Sequence, residues 1–65
     1  MTRLVDLELM VHHATELAVL VSDDGEEAGA VWLPLSRIEC EEPPRPGRAQ
    51  IITLPERLAF DRGLA

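Results

Sequence analysis

His12 and His13 stand side by side, with Cys40 further along the chain. Imidazole and thiolate are the ligands zinc prefers, but a structural zinc site needs about four of them. Neighbouring residues on a strand point to opposite faces, so the two imidazoles cannot easily share one ion. The expectation is a partly solvated histidine pair at a strand end, with no metal and no cofactor. Apart from Thr2 at the N-terminus, the hydroxyls and thiols are Thr15, Ser22, Ser36, Cys40 and Thr53. None sits in a Gly-x-Ser-x-Gly elbow, and the four glycines at 25, 29, 47 and 63 are too dispersed to cradle a phosphate. A body this small leaves little room for a deep pocket. An enzyme is not expected.

The carboxylates are more suggestive. Nine of them form three clusters: Asp23, Asp24, Glu26 and Glu27; Glu39, Glu41 and Glu42; and Asp6 with Glu8. Each cluster alone reads as a solvated surface. Residues i and i+2 on a strand lie about 6.6–6.8 Å apart. Successive phosphates along a nucleic-acid strand sit at a broadly similar spacing, because the rise of about 3.4 Å follows a winding path. Mimicry of nucleic acid is therefore geometrically open. The run Asp23-Asp24-Gly25-Glu26-Glu27 lacks the spacing of an EF-hand calcium loop.

The elements that position these residues follow from periodicity. Val5, Leu7, Leu9 and Val11 alternate with Asp6 and Glu8, the period of a half-buried strand over residues 4–11. His12 to Thr15 is expected to connect it to a second strand, Glu16 to Ser22, a nearly continuous apolar run. Asp23-Asp24-Gly25 signals a hairpin, and Ala28 to Leu35 is expected to return as a third strand ending near Pro34. Leu35 to Ile38 reads as a single helical turn or a tight bend. Residues 41–48, with Pro43, Pro44 and Pro46, form a Pro-rich internal loop. Ala49 to Leu54 is the fourth strand, and Pro55 to Arg62 a short helix with Gly63 and Leu64 closing it in a Schellman arrangement. The fold class is α+β: a small antiparallel sheet of about four strands with one short C-terminal helix. Residues 1–65 form a single domain. The expected core is Val5, Leu7, Leu17, Val19, Val21, Val31, Leu33, Ile52, Leu54 and Leu58. Trp32 is expected in the core as well, whereas Phe60 is expected to be partly exposed.

Sixty-five residues carry twelve acids and six bases, all six arginine, for a net charge of −6. Phosphate contacts need clusters of Lys and Arg, so direct binding to DNA or RNA is disfavoured and a basic protein surface is favoured. One cysteine excludes an internal disulfide. No apolar run approaches the ~18 residues of a membrane span. Met1-Thr2-Arg3 leads directly into an alternating strand, which is not the pattern of a signal peptide. The complete absence of lysine hints at a GC-rich bacterial or phage genome, and the expected location is the cytoplasm, that of a bacterial host if the chain is phage-encoded.

Two segments resemble small bacteriophage and prophage proteins: Val31-Trp32-Leu33-Pro34-Leu35-Ser36-Arg37-Ile38-Glu39, and Ile52-Thr53-Leu54-Pro55-Glu56-Arg57-Leu58-Ala59 with closing Gly63-Leu64. Those proteins read as a hydrophobic hairpin, a Trp-x-Pro-x-Ser-x-Ile segment, a variable acidic linker and a terminal Leu-Pro-Glu-x-Leu-Ala helix. The resemblance covers roughly Leu17 to Leu64, and its motifs are structural. Arg57 departs from it, since an aromatic residue is usual there. In size and charge the chain is also similar to anti-CRISPR inhibitors. The resemblance implies a small acidic phage-type inhibitor that docks on a basic surface of a host nucleic-acid-handling complex, a CRISPR effector being the most concrete candidate. The alternatives are a structural or accessory phage protein, and an oligomerising regulator, monomer or homodimer, that uses Met10, Leu20 or Phe60 as an apolar contact.

Overall fold

The computed structural model describes residues 3–64. Met1 and Thr2, which the N-terminal reading includes, lie outside them. Among the described residues five strands form one antiparallel sheet: β1 (Leu4–Ala14), β2 (Ala18–Ser22), β3 (Val31–Pro34), β4 (Glu39–Cys40) and β5 (Ala49–Pro55), followed by α1 (Glu56–Asp61). The spatial order is β3-β2-β1-β5-β4. The expected α+β class holds, with one strand more than anticipated. The extra strand is β4, whose two residues pair Glu39 with Thr53 and Cys40 with Ile52. Two residues carry no readable period.

β3 and β4 follow one another in sequence yet occupy opposite edges. Only residues 35–38 join them, most of them in the 3₁₀ turn Leu35–Arg37. A flat five-stranded sheet would hold its outer strands about 19 Å apart. A 3₁₀ turn with short extended flanks spans roughly 13 Å. The sheet must therefore curl into a partly closed barrel, with a seam between β3 and β4.

The concave side holds Leu9, Val11, Val19, Val21, Leu33, Ile38, Ile52 and Leu54, and α1 adds Leu58 and Ala59, with Leu64 just beyond. Val5, Leu7 and Val31 are half-buried against this cluster. Leu17 is corrected: it is 81% exposed. It lies in the tight turn between β1 and β2, where Thr15 Oγ1 donates to the Ala18 carbonyl and accepts from the Ala18 amide. The second strand starts at Ala18, so the apolar run of the sequence overshoots it. Trp32 is corrected too. It pairs with Leu20, one position out of phase with the buried pair Leu33 and Val19, and is 47% exposed on the convex side.

His12 to Ala14 belong to β1 and not to the connection. The register slips between Val11, opposite Val21, and His13, opposite Leu20. His12 is the extra residue of a β-bulge, which resets the alternation. The third strand is shorter than expected. The loop of residues 23–30 contains a 3₁₀ turn, Glu27–Gly29, and strand begins only at Val31.

Pro55 closes β5 and caps α1 instead of entering its first turn. At the other end Gly63 takes φ +74°, its amide donates to the Phe60 carbonyl, and Leu64 donates to Ala59. These two bonds are the Schellman pattern, and Leu64 folds back into the core. Residues 41–48 are a loop. It is pinned to β5, because the Gln50 side chain accepts from the Arg45 amide and donates to the Pro43 carbonyl. No described helix is long and apolar enough to cross a membrane.

Candidate functional site

Strand register decides which side chains share a face. In β1 and β5, Val5 opposes Leu54 and Leu7 opposes Ile52, all facing the core. The alternate pairs, Asp6 with Thr53 and Glu8 with Ile51, must therefore face outward. β4 extends the first of these rows, since Glu39 also opposes Thr53. Asp6, Thr53 and Glu39 thus cross three neighbouring strands on the convex side. Asp6 and Glu39 lie two strand spacings apart, about 10 Å.

Asp6, Glu39, Cys40, Glu41, Ile51 and Thr53 line a groove of about 430 Å³. A second groove, of about 220 Å³, continues from Glu41 and Ile51 to Glu42, Arg48, Ala49 and Gln50. Two of the three acidic clusters are thus brought together: Asp6 and Glu8 from β1, and Glu39, Glu41 and Glu42 from β4 and the bend after it. These five acids are exposed. Thr53 Oγ1 donates to Asp6 Oδ1 at 2.5 Å, which orients that carboxylate without covering it. Ile51, 54% exposed, stands among the acids as an apolar contact.

The third cluster lies apart, on the loop of residues 23–30. Asp24 Oδ1 accepts the Glu26 amide at 2.8 Å, holding the turn at Gly25, whose φ is +79°. Glu27 Oε1 lies 3.1 Å from His13 Nε2 and ties the loop to β1. Asp23 and Glu26 are exposed. Asp24 and Glu27 therefore have local structural roles as well as charge.

His12 Nε2 lies 2.8 Å from Ser22 Oγ. The pair has the spacing of a base and a nucleophile. Ser22, however, is only 1% exposed, so a substrate has no path to its oxygen. The bond satisfies a hydroxyl that burial would otherwise leave without a partner. Cys40 is half-buried at the groove, and burial pushes its thiol above the usual value. That is opposite to what a nucleophilic cysteine needs. No three His, Cys, Asp or Glu among the described residues come close enough to hold a metal ion.

The contributions of Thr53 and Ile51 were not apparent from composition. The run Ala-Gln-Ile-Ile-Thr-Leu does not reveal which of its two isoleucines faces out; only the register does. Comparison with protein-family models, curated proteins and solved structures returns no match.

Proposed function

We propose that this chain is a small acidic inhibitor of the phage type. It docks on a basic surface of a host nucleic-acid-handling complex, such as a CRISPR effector, and denies that surface to nucleic acid. The observation that carries the reading is the convergence of Asp6, Glu39 and Glu41 on one groove, from segments far apart in sequence. Asp6 and Glu8 add a repeat along the strand of about 6.7 Å. Among the described residues none of these acids has an ion-pair partner, and the net charge of −6 extends their field. Thr53 and Ile51 supply a hydrogen-bonding group and an apolar contact between the charges. Such a face suits a surface that already binds phosphates and planar bases.

Affinity capture from a bacterial lysate, repeated at low and high salt, tests the reading. The captured partner should be a nucleic-acid-binding protein, release should steepen with salt, and added DNA or RNA should compete. A variant with Asp6, Glu8, Glu39 and Glu41 changed to Asn or Gln should lose capture while keeping its circular dichroism. A partner that still binds nucleic acid while bound here, and tolerates the neutralised face, would overturn the proposal.

A further inference from the structure

Strand register leaves one patch of the convex side without charge. Ala18 pairs with Pro34 and Leu20 with Trp32, out of phase with the pairs Val19–Leu33 and Val21–Val31 that face the core. These four side chains therefore stand together on the outside of β2 and β3. Trp32 is 47% exposed and the other three are half-buried. His13, opposite Leu20, borders them on the β1 side. Tryptophan is among the residues enriched where proteins meet.

The two ends of the patch differ in charge. The loop of residues 23–30 closes one end and carries Asp23, Asp24, Glu26 and Glu27, all exposed. Glu27 reaches His13, so this loop stands on the convex side. At the other end β3 runs through Pro34 into the turn Leu35–Arg37, where Arg37 is exposed. Glu16 also lies at that end, but in the β1–β2 turn, across β2 from Arg37. One end is strongly acidic and the other carries one charge of each sign.

We infer that this patch is the contact between two copies of the chain, related by a two-fold axis running across the strands at Leu20 and Trp32. A two-fold contact lays the same patch of each copy on the other. With the axis across the strands the copies run antiparallel, and each acidic loop meets the Arg37 end of its partner. With the axis along the strands, acid would meet acid. Trp32 meets its counterpart near the axis, an aromatic pair favoured beyond the area it buries. A net charge of −6 opposes association through any face that carries the acids, and the outward side chains of this patch carry none. Four side chains fall short of the about 800 Å² per partner of a standard interface. The dimer is therefore weak, with a Kd of roughly 0.1–1 mM, and the charged ends fix its orientation more than its affinity. The groove of Asp6 and Glu39 stays open. Asp6 precedes His13 by about 23 Å along β1, and Glu39 lies on the far edge of the sheet. The dimer thus stands or falls independently of docking on a basic partner.

Trp32 is the only tryptophan, so its fluorescence reports the contact directly. Sedimentation of the intact protein on either side of the expected Kd should show a monomer passing to a dimer, with Trp32 emission moving to shorter wavelength as it forms. Trp32→Ala should weaken association about tenfold or more, with circular dichroism unchanged because the side chain lies outside the core. Arg37→Glu sets acid against acid, and Asp23→Arg with Glu26→Arg sets base against base, so each variant alone should associate more weakly than the parent. Mixed, the two should form a heterodimer, because both ends then join opposite charges. A chain that stays monomeric, with emission independent of concentration, would overturn the dimer. Association undiminished by Trp32→Ala would overturn this face as its site. Charge variants that associate no better mixed than alone would overturn the antiparallel arrangement. Emission that shifts only when a nucleic-acid-binding partner is added would assign the patch to that partner and not to a second copy.

Discussion

Individual side chains divide sharply by register. Leu9 and Leu58 are buried, and Leu17 is 81% exposed. Leu9→Ala or Leu58→Ala should destabilise the domain by about 2–5 kcal/mol. Leu17→Ala should fall within ~0.5 kcal/mol of the parent, like other exposed substitutions. Urea denaturation of the three variants checks this, and a large loss at Leu17 would contradict its position in the turn. Cys40 makes a prediction in pH. Burial raises its pKa from the ordinary 9.0, so the thiol resists ionisation more in the fold than in the unfolded chain. Its contribution is complete below 9.0 and fades as pH climbs through the raised folded-state value. Cys40→Ser should flatten the alkaline decline of Tm, and alkylation by iodoacetamide near neutral pH should be slower than for an unfolded control. A decline that the substitution leaves unchanged would remove Cys40 as its source.

At the level of elements, two termini carry most of the control. Gly63 holds φ +74° to complete the Schellman turn, and an alanine there is strained by about 1–2 kcal/mol. Gly63→Ala should lower thermal stability by an amount differential scanning calorimetry resolves. The outer edge of β3 is blunted, because Pro34 has no N–H to offer and the Trp32 carbonyl accepts from Arg62 Nε at 3.2 Å. Pro34→Val combined with Arg62→Ala should expose a pairable edge and promote self-association, seen as concentration-dependent sedimentation. Strands β1 and β5 were legible in the sequence, because Val5, Leu7, Leu9 and Val11 keep strict alternation and Pro55 marks the exit of β5. The bulge at His12 was not, since an inserted residue leaves no compositional trace. The phase of β3 was hidden for a related reason. Val31-Trp32-Leu33 is apolar throughout, and only pairing with β2 turns Trp32 outward. The acidic clusters were visible as clusters, but the joining of Asp6 to Glu39 and Glu41 depends on β4, which two residues could not announce.

For the whole molecule, charge and topology set the behaviour. A net charge of −6 on a small body repels itself, so added salt should raise the stability of the free protein while weakening its complex. Opposite salt slopes for melting and for partner capture would report both effects on one preparation, and parallel slopes would argue that the acids are not in the interface. The central ladder joins β1 to β5, the first strand of the chain to the last. During synthesis no part of the sheet's centre can zip together until residues 49–55 exist, and the β1–β2–β3 meander must wait with one side of β1 bare. Closing so long a loop before any reward places folding among the slower β topologies, roughly milliseconds to seconds. Until residues 49–55 are available, the chain displays an unpaired apolar ribbon along β1, the kind of exposed edge that invites aggregation.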